Sequence, residues 1–178
     1  MSDERVQVAA GVMRLANGRP SLEHAPMSFE EVRHRMERYL RENIPLSAAM
    51  GVRVRAATPE HVILYAPLGP NINHHETVFG GSAVVLATLS AWTLLYLRLA
   101  DEEVPAQLVI QRSSMEYEKP IPGDFAAECA FTDTAAWQRF HTTLERRGRA
   151  RLTLNAQLLH GSQRMASFSG DFVALRGP

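Results

Sequence analysis

The run Asn71-Ile72-Asn73-His74-His75-Glu76-Thr77-Val78-Phe79-Gly80-Gly81-Ser82 holds the densest group of chemically able side chains in the sequence. It reads as a polar loop that feeds straight into an apolar helix. The first turn of a helix has unpaired N–H groups and a partial positive charge. Two glycines at that turn remove side-chain bulk, so a ligand oxygen can approach the amides of Gly80 and Gly81. Such a turn binds an anion, or stabilises the oxyanion that develops on an ester or thioester carbonyl under attack. The same glycines equally suit close packing of a helix on a strand, and composition leaves both readings open.

His74 and His75 lie beside Asn73, and imidazole is the side chain that exchanges a proton near neutrality. Neighbouring side chains are expected to diverge, so one of the two faces the site. Glu76 reads as a solvated loop charge. Ser82 follows two glycines without a G-x-S-x-G elbow or a strand directly before it, so a hydrogen bond within the helix turn is its expected role. His61, His74 and His75 are zinc-ligand types, but neither an H-E-x-x-H pattern nor a cysteine cluster accompanies them, and no metal or other cofactor is expected. Cys129, among Ala126, Ala127 and Ala130, reads as a small core residue. Arg146, Arg147, Arg149 and Arg151 form the basic cluster.

The elements that must position these residues follow from pattern. Ser28 and Glu31 form a capping box, with Met27 and Val32 placed as a hydrophobic staple. Phe29, Val32, Met36, Tyr39 and Leu40 line one helix face, and Pro45 stops that helix. Val52, Val54 and Ala56 alternate with Arg53 and Arg55 as a half-buried strand, and residues 61–68 return as a second. After the 69–78 loop, a helix is expected from Phe79 to Ala100. Strands are expected over 107–117 and 125–131. Trp137, Phe140 and Leu144 before Gly148 mark a short second helix, whose last-turn dipole Arg146 and Arg147 complement. Strands over 149–159 and 164–175, joined by His160-Gly161-Ser162-Gln163, end the chain. Residues 1–27 read as an N-terminal extension, in which Val6 and Val8 start a short strand, and residues 28–178 as one domain. The expected class is α+β: a curved antiparallel sheet, its later strands spaced as a meander, wrapped around one long central helix, with an extra N-terminal helix. Such a sheet leaves edges and one face for a second copy to cover, so a homodimer or a dimer of dimers is expected.

Composition narrows the classes further. At 178 residues the chain is one domain, long enough to bury a core without disulfide or metal support. Nineteen Lys+Arg balance nineteen Asp+Glu, which argues against a nucleic-acid binder. A single cysteine forms no intramolecular disulfide and fits a reducing, cytoplasmic setting. Met1-Ser2-Asp3-Glu4-Arg5 leads into no long apolar segment of the signal-peptide kind. Thr77 to Leu97 carries no formal charge and is long enough to span a bilayer. Its Gly80-Gly81-Ser82 start, its Thr88, Ser90 and Thr93, and the alternating strands around it read instead as a buried central helix, with no membrane partner.

Asn73, five further residues, then Phe79-Gly80-Gly81 opening the central helix resemble the N-x5-H-G-G signature of PaaI-type hot-dog thioesterases. The fuller run Pro67-Leu68, Asn71-Ile72-Asn73-His74, Thr77-Val78-Phe79-Gly80-Gly81-Ser82, Leu86-Ala87-Thr88-Leu89 and Trp92 is closer still to the YiiD C-terminal-type thioesterase family. Ile44-Pro45-Leu46, Met50-Gly51-Val52, Tyr117, Pro120 and Gly148-Arg149-Ala150 fit the same pattern, so the resemblance covers residues 28 to 176. It implies a hot-dog fold, acyl sites at a subunit interface, and acyl-CoA or acyl-carrier-protein thioesters as substrates. It implies that Asn73 holds the attacking water or the thioester, and that the Gly80 and Gly81 amides face the carbonyl. Asn71, Phe79, Ser82 and Thr88 would then surround the substrate.

Two departures stand out. Phe79 occupies the position of the family's histidine, and Thr88 that of the helix carboxylate, the usual base. A threonine does not take up a proton at neutral pH, which moves the expected base to His74. The basic cluster would meet CoA phosphates or an acidic carrier surface, or else only complement the helix end. A non-catalytic acyl-binding or dimerisation module is the alternative. A hot-dog dehydratase ranks below both, since the central helix carries no acid.

Overall fold

Ser28 starts the first helix as its cap requires. In the computed structural model, which describes residues 28–176, the Ser28 hydroxyl accepts from the Glu31 amide (3.3 Å) while the Ser28 amide donates to the Glu31 carboxylate (2.7 Å). Helix α1 runs Phe29–Asn43 and buries Val32, Met36 and Leu40. The Met27 half of the staple and the Val6–Val8 strand lie outside the described residues. Pro45 ends α1 but also begins a short helix, α2 (Pro45–Ala49), which the pattern did not announce. Proline suits a first helical position because its missing N–H would have had no intrahelical partner there.

Six strands follow: β1 (Arg53–Ala57), β2 (His61–Ala66), β3 (Gln107–Tyr117), β4 (Phe125–Ala130), β5 (Arg149–His160) and β6 (Gln163–Leu175). They form one antiparallel sheet in the order β1-β2-β4-β5-β6-β3. The meander expected of the later strands holds for β4, β5 and β6. Strand β3 leaves that succession and pairs with β6, from Gln107 opposite Leu175 to Tyr117 opposite Ala166. The pair is long, eleven residues of β3 lying along thirteen of β6.

Helix α3 (Gly80–Asp101) packs against all six strands. Leu86, Leu94 and Leu95 are fully buried against Leu64, Phe125, Leu158 and Phe172 of the sheet. The uncharged run is therefore the centre of the domain. It is the one described helix long and apolar enough to cross a membrane by composition, and most of its surface is covered by protein. Helix α4 (Thr134–Arg147) sits between β4 and β5, capped by the Asp133 carboxylate, which accepts from the Ala136 amide at 2.8 Å. It stops at Gly148, whose φ of +66° is the left-handed conformation that glycine adopts without penalty. The result is the α+β arrangement expected: a curved antiparallel sheet around one long helix, with α1 added at the N-terminal side.

The two sheet edges differ. At β1, Arg33 of α1 donates to the Val54 carbonyl (3.3 Å) and Glu37 accepts from the Val54 amide (2.9 Å). These side chains satisfy the backbone groups that an edge strand otherwise presents to another chain. Among the described residues no such pair of charged side chains caps the β3 edge, and Val109, Ile110 and Tyr117 on it are 49%, 40% and 54% exposed.

Candidate active site

The loop before α3 is a small closed structure. Asn71 ends a 3-10 turn (Gly69–Asn71) and is buried, its amide group donating to the carbonyls of Met50 (2.9 Å) and Pro67 (2.8 Å). Its own carbonyl accepts from the Phe79 amide at 2.7 Å, which ties the loop's entry to the start of the helix. Ile72 and Val78 pair as an antiparallel bridge, and the Asn73 amide donates to the Thr77 carbonyl at 2.8 Å. Asn71 is thus a scaffold, two hydrogen bonds deep in the protein.

The Asn73 side chain is engaged in the same loop. Its carbonyl oxygen accepts from the amides of His75 (2.8 Å) and Thr77 (3.3 Å), and its amide group donates to the Thr77 hydroxyl (3.0 Å) and the Val78 carbonyl (3.3 Å). This is the local side-chain-to-backbone bonding by which asparagine organises turns. Glu76 takes a φ of +59°, so the tip turns sharply. The imidazoles of His74 and His75 therefore do not diverge as expected: their ring centroids are 3.8 Å apart, both on the exposed tip. Glu76 is exposed beside them, as a solvated charge should be.

At the helix start, Phe79 is the N-cap residue and has no side-chain capping bond. The first bond into the helix is from the Ala83 amide to the Phe79 carbonyl (3.1 Å), so the amides of Gly80, Gly81 and Ser82 precede the ladder. The Tyr117 hydroxyl, from the end of β3, donates to the Gly80 carbonyl at 2.9 Å. A Cβ on Gly80 would sit 3.3 Å from that hydroxyl, and one on Gly81 would lie 2.2 Å from the Phe79 ring. Both glycines are therefore closely approached, Gly80 by a tyrosine and Gly81 by the exposed ring of Phe79, which a side chain at 81 would have to displace. The Phe79 ring is 57% exposed. Ser82 is half-buried, and its hydroxyl has no partner among the described residues; the hydrogen bond expected within the turn is not made. A phenol is protonated at neutral pH in any case, and the partial burial of this half-exposed residue shifts its pKa further up.

Thr88 lies two turns along the same face of α3 as Gly81 and is half-buried, its hydroxyl donating to the Val84 carbonyl at 2.8 Å. With its proton committed, the oxygen can still accept. The structure thus brings Asn73, Phe79, Gly80, Gly81, Ser82 and Tyr117 to one helix entrance, with Thr88 further along and His74 on the loop tip. Tyr117 is the member that site reasoning from sequence passed over. Nothing in its spacing shows that the end of β3 reaches the start of α3.

The other candidates separate from this cluster. His61 is on β2, 2.7 Å from Glu128 of β4. No group of three metal-ligand side chains occurs among the described residues. Cys129 is buried, its thiol donating to the Asn155 carbonyl (3.1 Å), and burial pushes its pKa up to about 12. Arg147, Arg149 and Arg151 line a groove of about 480 Å³ with Gln111 and Thr143. A larger groove, about 840 Å³, lies between α4 and strands β4 and β5, and neither includes a residue of the 69–82 loop and helix start.

Comparison with known proteins agrees with this architecture. Residues 33–176 match the family model described as "Putative thioesterase (yiiD_Cterm)". A protein of unknown function from Chlorobaculum tepidum TLS is 27% identical, with 83% of this chain and 96% of that one aligned at a TM-score of 0.77. A structure from Shewanella oneidensis, titled a thioesterase of the same provisional kind, is 26% identical over 82% of this chain and 99% of that one, at 0.73. A third, from Pseudomonas aeruginosa and titled "Probable Thioesterase", shares the fold at 0.72 and 24% identity, over 87% of this chain and all of the other. The family model spans nearly every described element, and its structural relatives wrap the same sheet around the same helix; the chain belongs to the YiiD C-terminal thioesterase family of hot-dog thioester hydrolases.

Proposed function

We propose that this protein hydrolyses acyl-CoA or acyl-carrier-protein thioesters at the α3 entrance, with the amides of Gly80 and Gly81 donating to the oxyanion of the tetrahedral intermediate. One observation carries this reading: the first-turn amides have no side-chain cap, and the carbonyl beside them is held by Tyr117. Donors fixed before the reaction stabilise developing charge without reorganisation. The helix dipole adds to their field.

Asn73 acts in this scheme by holding the loop, since both polar atoms of its amide already bond within it. The Thr88 oxygen accepts a hydrogen bond from the attacking water, and Ser82 donates to the substrate. His74 takes the water's proton, the role a threonine cannot fill. Water adds to the thioester carbonyl, the C–S bond breaks, and the proton passes to the thiolate leaving group. Phe79 and Asn71 shape the entrance, one as an apolar wall and one as its buried anchor. The open β3 edge is where a second copy pairs, giving a homodimer that covers the exposed Val109 and Ile110. A cytoplasmic setting matches the free, buried cysteine.

The test is a turnover assay over acyl-CoA and acyl-carrier-protein substrates. Gly81→Val should lower kcat/KM by more than tenfold in a folded protein, since loss of one oxyanion donor costs about 10²–10³ in rate. His74→Gln should lower kcat about 10²-fold or more in a folded protein, the usual cost of losing a general base, and Thr88→Ala should lower it less. A folded wild type that turns over no thioester would favour the binding-module reading, which the missing helix carboxylate keeps open.

A further inference from the structure

Along α3, residues Gly81, Val85, Thr88, Trp92 and Tyr96 fall on one line, three to four residues apart. All five are half-buried, on a helix whose other faces are mostly buried. No charged residue lies on it. From Gly81 to Thr88 the side chains are small, with Val84 and Val85 as the apolar floor. At Trp92 the stripe changes character. Tyr39 of α1 stacks on Trp92 with ring centroids 6.0 Å apart and planes within 4°, and on Tyr96 at 5.7 Å and 15°. Trp92 and Tyr96 stack on each other at 5.1 Å and 12°. The Trp92 indole N–H also points to the Leu108 carbonyl of β3 at 3.5 Å, so the ring is tied to the sheet as well as to α1.

We propose that these three near-parallel rings are the end wall of the acyl-binding stripe, and that Trp92 sets the longest acyl chain the protein accepts. The proposal rests on the hydrolase reading for the position of the thioester carbonyl, at the Gly81 amide. An acyl tail leaving that point follows the uncharged stripe, because apolar burial is its driving force and charged surface opposes it. Trp92 is eleven residues beyond Gly81, or about 16 Å along the helix. Contact with the ring face takes up about 3.5 Å of that. The remaining distance of about 13 Å holds roughly ten carbons, at about 1.3 Å for the projection of each C–C bond. The substrate class is therefore a medium-chain acyl thioester.

Saturated acyl-CoA substrates of graded length test this directly. Wild-type kcat/KM should fall at least tenfold for chains a few carbons beyond ten. In Trp92→Leu the fall should move about four carbons longer, the reach to Tyr96 one turn on. Val85→Phe should move it shorter, and decides the matter if Trp92→Leu does not fold. A second readout is independent of turnover. The protein has two tryptophans, so Trp137→Phe leaves Trp92 as sole reporter, and decanoate should change its emission saturably while palmitate binds at least tenfold more weakly. If decanoate binds so but no thioester is hydrolysed, the hydrolase reading fails and the wall stands. Turnover with the same length profile in wild type, Trp92→Leu and Val85→Phe overturns the wall and leaves hydrolysis standing. So does a Val85→Phe protein that loses its dimer mass with an unchanged profile, which would make the stripe a contact between copies. Decanoate and palmitate binding equally, or neither binding, also overturns it.

Discussion

The Tyr117 hydroxyl donates to the Gly80 carbonyl at 2.9 Å, joining the last residue of the open edge strand to the first residue of the central helix. That bond fixes the peptide plane between Gly80 and Gly81, and with it the direction of the Gly81 N–H. A Cβ at Gly80 would press on the phenol at 3.3 Å, so a side chain there would push the hydroxyl by a few tenths of an ångström. An edge strand that another copy can reach is thereby linked to the turn that would hold the oxyanion.

Tyr117→Phe keeps the ring and removes the hydroxyl. It should lower thioester kcat by several-fold with KM and melting temperature little changed, because a half-exposed carbonyl can bond to water instead. Steady-state kinetics beside a thermal melt check this. An unchanged kcat would show that the Gly80 peptide is held well enough by the helix alone.

At the β3 edge, Ile110→Glu should convert the expected homodimer to a monomer. Two copies pairing along this strand would bring like charges together in an interface that had been apolar, and unpaired charge is costly to bury. Light scattering at micromolar concentration measures the mass. A wild type already monomeric there would remove the dimer from the proposed function.

Asp124 provides a pH-dependent contribution to stability. Its carboxylate accepts from the Tyr65 hydroxyl and from the Leu68 amide (2.9 Å), and these bonds, the first above all, hold its pKa below the ordinary value. A group depressed in the folded state stabilises above its unfolded pKa, and the contribution is lost as pH falls through the folded one. Asp124→Ala should therefore melt lower than wild type at pH 7, with the gap narrowing below about pH 4. The group is exposed, so the gap is small. Thermal melts across that range, with the gap constant or widening at low pH, would contradict the assignment.

Cys129 should resist thiol reagents in the native protein at pH 8 and react fully once unfolded. Its thiol is buried, bonded to the Asn155 carbonyl, and raised to about 12, so little thiolate exists to react. Rapid labelling of folded protein would mean that the end of β4 opens readily.

The local elements were legible because each is decided by neighbours in sequence. Ser28 and Glu31 bond across three residues, Asp133 and Gly148 bracket α4, and Val52 and Val54 alternate with Arg53 and Arg55 as expected, until a bulge after Val54 turns Ala57 inward in place of Ala56. The 69–82 run was recognisable as a site for the same reason: its asparagines and glycines answer to turn chemistry within a dozen residues. What those side chains do with their hydrogen bonds was decided by the fold. Asn71 is buried because Met50 and Pro67, from a separate helix and strand end, present it with two carbonyls. His74 and His75 lie with ring centroids 3.8 Å apart on a tip where Glu76 takes a positive φ, a backbone conformation no residue pattern announced. The place of β3 was likewise beyond reach of periodicity. Alternation says that a strand has two faces, but not which strand it lies beside, and β3 pairs with β6 across some fifty residues of intervening chain. That pairing brings Tyr117 to Gly80, and with the α1 helix against β1 it leaves one sheet edge open and the other closed.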